Sequence, residues 1–401
     1  MKSSDDENMP KLAAYKECTG CFACVNACPK NAIETFINKE GHYDIKVDVA
    51  RCVHCGQCER ICEKSRSNYG CNDLSLSNIY AGYTTDDQLR RNATSGGVFA
   101  ILAKTFIEDG GVVVGASFDG TYARHIIIDK VEDIEKLQGS KYTPSSMEGV
   151  YKEIEKELQY KKVLFSGTGC QVAGVLAYFD GSKYSDNLYT VDLVCGGVPS
   201  TELIKKFNEH NKCKVKSFRN KDKYELIVEN QDGKCKKVAR KNLPLDGFIY
   251  GLTNRLSCYD CKFAFCHRNS DITIGDLWDY SIFPNEHENG ISMVLTHNKR
   301  AEHILLNIQK INLMRIDWSV IKHNYRVAYG KEKIYRYRKT LAESLKTMRY
   351  NEFEKTYAMD IKPINMRLSL FKMYRNLVYR REQIIRNIFI NSLIGSKDSK
   401  P

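Results

Sequence analysis

The chain has 401 residues, of which 42% are hydrophobic and 27% are charged, so it is long enough to bury a core and is not of the disordered class. Its net charge of +12 is not spread evenly, because residues 331–401 carry 17 Lys and Arg against 7 Asp and Glu. The remainder is close to neutral and shows no recognition fold for nucleic acid, so we expect no nucleic-acid partner.

The 16 cysteines are too many to leave unexplained. The sequence begins MKSSDDENMPKL, without the charged and then apolar segment of a secretory signal, and no apolar run approaches the roughly 20 residues of a membrane-spanning helix. We therefore expect a cytoplasmic protein with reduced thiols, at most peripheral at the inner face of the membrane. Metal ligation is the leading use for the cysteines.

One cysteine motif occurs twice near the start of the chain. The copies read CTGCFACVNACP and CVHCGQCERICE, so both have the spacing C-x2-C-x2-C-x3-C. With this spacing, three thiolates bind one 4Fe-4S cluster and the fourth reaches the neighbouring cluster. Zinc is the alternative, but tetrahedral zinc sites usually take two separated pairs of ligands. The predicted ligands of two clusters are Cys18, Cys21, Cys24, Cys28, Cys52, Cys55, Cys58 and Cys62.

The segment around these motifs resembles a bacterial-type two-cluster ferredoxin. Between the copies, GHYDIKVDVARC alternates apolar and polar residues, which predicts a half-buried strand. A module of this kind moves single electrons, so another part of the chain must use them.

An α/β pattern follows. Helical periodicity covers Val98–Phe106, and an apolar strand is predicted at Gly111–Ser117. Four small residues precede the helix, where free backbone N–H groups favour a phosphate. An ordinary N-cap with flexible glycines explains the same residues, which are Thr94, Ser95, Gly96 and Gly97.

Two strand–turn–helix units then place one cysteine each after a strand. VLFSGTGCQVAG carries Cys170, and NLYTVDLVCGGVPS carries Cys195. Ligands bind at the carboxyl edge of such sheets. Cys258 and Cys261 form a C-x2-C pair further on, so the four thiols make a plausible third cluster. A catalytic thiol or an inert buried residue are the alternatives for Cys170.

Five motifs carry a resemblance to a known family. RRNATSGGVFAIL, LQGSKYTPSS, VLFSGTGCQVAGVLAYF, VDLVCGGVPS and SCYDCKF with SDITIGDLW are similar, in order, to the beta subunits of coenzyme F420 (deazaflavin) hydrogenases and dehydrogenases. The resemblance covers about residues 80–330. It implies FAD between two α/β lobes, a third cluster on Cys170, Cys195, Cys258 and Cys261, and flavin contacts from Thr94, Ser95, Gly96, Gly97, Ser140 and Lys141. Cys266 is an additional thiol that could replace one of the cluster ligands.

The sequence thus predicts an FAD-dependent iron–sulfur oxidoreductase. Electrons would pass from reduced ferredoxin or another redox protein, through 4Fe-4S clusters to FAD, and on to a small organic substrate. One alternative is a deazaflavin-reducing beta subunit of a hydrogenase or formate dehydrogenase complex. An alternative of another class is a non-catalytic electron-transfer or scaffold protein.

The predicted fold is α+β and α/β. Residues 1–75 form the ferredoxin domain, residues 76–150 and 151–330 form the two parts of an α/β flavin-binding region, and residues 331–401 form a basic helical tail. The tail either packs on the body of the protein or contacts anionic lipid or an acidic partner such as ferredoxin.

Overall fold

The computed structural model describes residues 9–62, 76–221, 224–238, 243–249, 251–263, 268–279, 281–321 and 338–357. The chain forms two compact units, Met1–Thr347 and Met348–Pro401. Across the described residues, no helix is both long enough and apolar enough to cross a membrane.

Two antiparallel strands and two short helices make up the N-terminal part: α1 (Ala23–Ala27), β1 (Ile33–Ile37), β2 (Tyr43–Val47) and α2 (Gln57–Ile61). The strand predicted between the cysteine motifs is confirmed as β2, which pairs with β1 so that Val47 lies opposite Ile33. One cysteine motif precedes the hairpin of β1 and β2, and the other follows it.

The remaining strands are, in chain order, β3 (Asn78–Thr84), β4 (Val112–Phe118), β5 (Ala123–Ile128), β6 (Ser145–Ser146), β7 (Val163–Thr168), β8 (Leu188–Leu193), β9 (Cys213–Ser217), β10 (Leu226–Asn230), β11 (Cys235–Val238), β12 (Ile272–Asp276), β13 (Ser292–Thr296) and β14 (Ile311–Arg315). A large mixed sheet has the order β14-β3-β13-β12-β8-β7-β4-β5-β6, and β9, β10 and β11 form a small separate sheet. Four neighbouring strands at the centre, β12, β8, β7 and β4, are parallel.

The further helices are α3 (Asp87–Asn92), α4 (Val98–Glu108), α5 (Ile134–Leu137), α6 (Val150–Leu158), α7 (Gly169–Phe179), α8 (Thr201–Asn211), α9 (Leu243–Ile249), α10 (Lys299–Asn307), α11 (Trp318–Ile321) and α12 (Arg338–Thr347). The helix and strand predicted around Val98–Phe106 and Gly111–Ser117 are confirmed as α4 and β4. A short 3-10 helix, Leu256–Asp260, follows α9.

Both faces of the large sheet are buried. Along β4, Val113 packs into the core on one face, whereas Val112 and Val114 belong to the core on the other. This alternation follows from the two-residue period of a strand. The second core also contains Phe22 of the N-terminal part, so the ferredoxin-type part and the sheet share one apolar interior.

The mixed α/β architecture with a ferredoxin-type N-terminal part agrees with the predicted fold class, whereas the two flavin-binding lobes stay a prediction. The second unit is described only as far as residue 357. Within it, the ring centroids of Phe353 and Tyr357 are 4.6 Å apart. The predicted basic tail falls largely on residues 358–401, which lie outside the described residues.

Candidate iron–sulfur and coenzyme site

Two cavities open beside the repeated cysteine motifs, and each is lined by cysteines from both motifs. The first is lined by Cys18, Cys21 and Cys24 together with Cys62 of the second motif. The second cavity has the reciprocal set, with Cys28 of the first motif beside Cys52, Cys55 and Cys58. Each cavity thus collects three consecutive thiols and one exchanged thiol, which is the ligand set of a two-cluster ferredoxin.

The pKa values of these thiols are also affected by cysteines of the other motif. Burial raises the pKa of Cys24, and the neighbouring thiols Cys21, Cys18 and Cys62 raise it further. Burial also raises the pKa of Cys58, with a contribution from Cys28. Thiols crowded in this way are protonated unless a cation binds them, and iron would supply that positive charge.

The two motifs share an unusual backbone. Phe22 and Gly56, each just after the second cysteine of its motif, have φ of 63° and 68°, and Gly20 and His54 have φ of 71° and 52°. Left-handed residues at matching positions bend each loop around its cavity. Backbone N–H groups also reach the sulfurs, since the N–H of Ala32 donates to Cys28 Sγ at 3.1 Å.

A third set of cysteines gathers at the carboxyl edge of the large sheet. β7 and β8 are adjacent and parallel, with Thr168 opposite Leu193, so Cys170 and Cys195 follow them at the same edge. At the start of α7, the N–H of Thr168 donates to Gln171 Oε1 at 2.9 Å, and Thr168 Oγ1 lies 3.2 Å from Cys170 Sγ. The N–H of Gly197 donates to Cys195 Sγ at 3.3 Å.

Cys258 and Cys261 complete this set from the 3-10 helix and the residue after it. Burial raises the pKa of Cys170, and the thiols of Cys261, Cys195 and Cys258 raise it further. Burial likewise raises the pKa of Cys258 to about 12 and that of Cys195 to about 11. The four predicted ligands are therefore mutual neighbours, while Cys266 lies outside the described residues.

Among the residues that the structure describes, no three His, Cys, Asp or Glu side chains converge as the ligands of one ion would. A 4Fe-4S cluster instead distributes its thiolates over several irons, so its ligands lie further apart.

Gly169, just before Cys170, is required by close packing. A Cβ at this position would lie 2.9 Å from Phe263 Cβ and 3.3 Å from an Asp192 carboxylate oxygen. Arg268 pairs with Asp192 in the same buried region. The absence of a side chain lets the first turn of α7 approach the segment that carries Cys261.

The small residues before α4 are bound mainly to the protein itself. Ser95 donates to the carbonyl of Ile291 at 2.8 Å, and the N–H of Gly96 donates to Ser292 at 3.1 Å. Gly97 has φ of 76° and precedes a helix that lacks a side-chain N-cap bond. Thr94 lies 3.3 Å from Ser140, so two of the predicted cofactor segments do meet.

Lys141 bonds to the end of a helix. Its Nζ donates to the carbonyls of Leu137 and Gln138 at 2.6 and 2.8 Å. Burial lowers the pKa of this ammonium to about 7. The predicted role of Lys141 at a cofactor stays a prediction.

The structure adds an aromatic stack that the sequence analysis missed. The rings of Tyr142 and Phe248 lie face to face, with centroids 3.6 Å apart and an angle of 9° between their planes. A Cβ on Gly196, the residue after Cys195, would lie 3.1 Å from Phe248. Tyr142 lies within the GSKY stretch of a recognised motif, but the sequence gives no sign of Phe248 as its partner.

A buried arginine, Arg219, lies near the aromatic stack, because the ring of Tyr224 is close to both Arg219 and Tyr142. Arg219 pairs with Asp276 at 2.6 Å and packs near the rings of Tyr224 and Trp278. Its Nη2 also donates to the carbonyl of Thr94 at 3.5 Å. Asp276 ends β12 at the edge where Cys170 and Cys195 lie, so this ion pair and the third cysteine set share one edge of the sheet.

Comparison with known proteins gives three family matches. Sequence models of the coenzyme F420 hydrogenase/dehydrogenase beta subunit match residues 79–152 with the N-terminal model and 160–317 with the C-terminal model. A 4Fe-4S dicluster domain model matches residues 17–65. No curated protein matches the chain.

Among solved structures, the chain is similar to one from the F420-reducing NiFe hydrogenase complex of Methanosarcina barkeri, studied by xenon derivatization. The two are 18% identical with a TM-score of 0.47, and the alignment covers 69% of this chain and 94% of the other.

These matches correct one prediction. The chain was expected to be an FAD-dependent oxidoreductase, but the matched family is defined by coenzyme F420, so the assignment to FAD is wrong. A deazaflavin and a flavin are both flat, tricyclic and linked to phosphate, so the short motifs that indicated a flavin could not distinguish them. The prediction of 4Fe-4S clusters in the N-terminal domain is confirmed.

Proposed function

Because the chain belongs to the coenzyme F420 hydrogenase/dehydrogenase beta-subunit family and carries an N-terminal 4Fe-4S dicluster domain, we propose that it reduces a deazaflavin coenzyme of the F420 type with electrons from its iron–sulfur clusters. The cluster ligands would be the two exchanged sets and the third set on Cys170, Cys195, Cys258 and Cys261. Clusters pass one electron at a time, so each coenzyme molecule requires two passages and two protons.

One observation carries this proposal: the three regions touch in series. Gly174 on α7 lies against Cys21 of the first motif, since a Cβ at Gly174 would come within 2.9 Å of the Cys21 sulfur. Cys170 lies in the first turn of the same helix. Gly196 beside Cys195 then packs on Phe248, which stacks on Tyr142. The third cysteine set thus lies between the ferredoxin part and the aromatic stack, with its thiols of Cys170 and Cys195 as neighbours.

The aromatic stack suits a flat coenzyme ring. Aromatic rings bind planar heterocycles through their faces, and the stacked pair of Tyr142 and Phe248 lies beside the third cysteine set. Basic groups for a phosphate lie close by, because Lys221 donates to the carbonyl of Ala93 at 2.8 Å, next to Thr94. In this proposal the coenzyme contacts are Thr94, Ser95, Gly96, Gly97, Ser140 and Lys141, together with Tyr142 and Phe248.

Electrons would enter at the second cysteine cavity. Cys55 is exposed there, and Val53 and Val49 nearby are 54% and 49% exposed. Exposed apolar side chains around a redox site favour brief docking of a redox protein. The supplying partner would therefore be a redox protein, such as a ferredoxin or another subunit of a hydrogenase complex.

Binding of coenzyme F420 tests the proposal. The coenzyme's fluorescence should be quenched on titration with the anaerobically reconstituted chain, and Phe248→Ala should weaken binding about five- to tenfold through lost stacking, about 1 kcal/mol. Phe36→Ala, which removes a ring that is 46% exposed on the ferredoxin part, is the matched control and should bind normally. A wild-type chain with full iron content that does not bind the coenzyme would instead favour a non-catalytic electron-transfer role.

A further inference from the structure

Arg255 belongs by its backbone to the loops of the third cysteine set. Its carbonyl accepts from the N–H of Cys258 at 2.9 Å, and its own N–H donates to the carbonyl of Val198 at 2.8 Å. Val198 is three residues after Cys195. The backbone of Arg255 thus connects the two loops that carry Cys195 and Cys258.

The side chain of Arg255 reaches in the opposite direction, into the ferredoxin part. Its Nε donates to the carbonyl of Cys18 at 2.6 Å, and its Nη1 donates to the carbonyl of Tyr43. The guanidinium also lies 5.0 Å from the ring centre of Tyr15. A Cβ at Gly20, between Cys18 and Cys21, would be 3.3 Å from Nη1, so the guanidinium lies directly against the first cysteine loop.

This guanidinium is buried and has no ionic partner among the described residues. Arg255 is 3% exposed, no Asp or Glu of the described residues pairs with it, and its Nη2 has no hydrogen-bond partner among them. Burying an unpaired charge costs several kcal/mol. Two carbonyls and an aromatic ring offset only part of that cost, so an anion beside Arg255 is needed to balance it.

We infer that Arg255 is a positive charge shared by the first and third clusters and that it favours the reduced state of both. The inference rests on the cluster ligands of the proposed function. A 4Fe-4S cluster with four thiolates is anionic and gains one further negative charge on reduction, so a fixed neighbouring cation stabilises the reduced form. An electron that passed from the first cluster to the third would remain next to the same guanidinium, so Arg255 would favour neither direction of that transfer.

The test is an anaerobic redox titration followed by electron paramagnetic resonance, with iron content measured on the same samples. In Arg255→Met, the ratio of reduced to oxidised cluster at a fixed potential should fall about tenfold for the first and third clusters, which is a shift of about 59 mV for a one-electron couple. The second cluster should be unaffected. Arg90→Met is the matched control, because Arg90 pairs with Glu286 and its described contacts include no cysteine loop. The clusters of this variant should titrate as in the wild type.

Arg255→Lys keeps the positive charge, so it separates an effect of charge from a loss of structure. Wild-type iron and wild-type potentials in this variant support the inference, even if Arg255→Met loses iron. Loss of iron in both variants would assign Arg255 a purely structural role and overturn the inference. Full iron with unchanged potentials in Arg255→Met would also overturn it. Because these readouts need no coenzyme, failure of F420 binding and failure of this inference are separate results.

Discussion

Gly174 lies directly against Cys21: a methyl group in place of its hydrogen would stand 2.7 Å from Cys21 Cβ. Gly174 is one helical turn after Cys170, so both residues face the same side of α7. Tyr151 reinforces this contact by donating to the carbonyl of Cys21 at 2.6 Å. A single helix therefore connects the first cysteine set with the third.

Gly174→Ala should disturb the first cluster. The new methyl group must displace Cys21, and overpacking of this kind costs about 1–3 kcal/mol. We expect loss of iron, or a broadened resonance spectrum, at the first cluster. Gly115→Ala is the matched control, because the atoms nearest to its methyl group belong to the flexible end of Leu137, at 3.1 Å. Equal iron content and identical spectra in both variants would contradict the close contact.

The exchanged thiols give a second prediction. Cys62→Ser should disturb the cluster held by Cys18, Cys21 and Cys24, although Cys62 belongs to the other motif. Cys28→Ser should instead disturb the second cluster, which is the reciprocal control. Resonance spectra of the two reduced clusters check this assignment. If Cys62→Ser affected the second cluster and left the first intact, each motif would serve its own cluster.

Cys170→Ser should remove the third cluster alone. The chain should contain about twelve irons when three 4Fe-4S clusters are present, and about eight in this variant. Cys213→Ser is the control, because Cys213 is buried in the small sheet away from the three sets and should keep the full content. A wild-type chain that saturates at about eight irons would return Cys170 to the class of inert buried residues.

The sequence predicted the elements that local patterns determine. The cysteine spacing indicated two exchanged clusters, and the apolar runs before Cys170 and Cys195 indicated adjacent strands that end at one edge. It could not predict contacts that depend on tertiary packing. Arg255 lies in a stretch without periodicity, and the approach of Gly174 to Cys21 joins residues more than 150 positions apart. The choice between FAD and F420 was also beyond it, since the same small residues can surround either ring.

Because of His125, the free energy of unfolding should decrease in mild acid. The ring is buried, stacked on Phe165 and bonded to the carbonyl of Ser166, and burial lowers its pKa from 6.5 to about 4. The unfolded chain therefore takes up a proton between about pH 6.5 and pH 4 that the folded chain does not. The folding free energy that depends on the neutral ring is complete above pH 6.5 and declines by about 3 kcal/mol as the pH falls to 4.

Thermal unfolding of the full chain at pH 7 and pH 5 measures this effect. The drop in unfolding temperature between the two values should be smaller in His125→Gln than in the wild type. His303→Gln, at an exposed position on α10, is the control and should behave as the wild type. An equal drop in all three proteins would show that His125 titrates normally.

Transfer of electrons from the clusters to coenzyme F420 tests the proposed function most directly. The chain is reduced anaerobically, freed of reductant and mixed with oxidised coenzyme, and the visible absorbance of clusters and coenzyme is followed in time. The account predicts that the clusters reoxidise as the coenzyme is reduced, with two electrons lost for each coenzyme molecule, and that Cys195→Ser transfers them far more slowly. If the coenzyme stays oxidised while an artificial one-electron acceptor drains the same clusters, the chain does not reduce coenzyme F420.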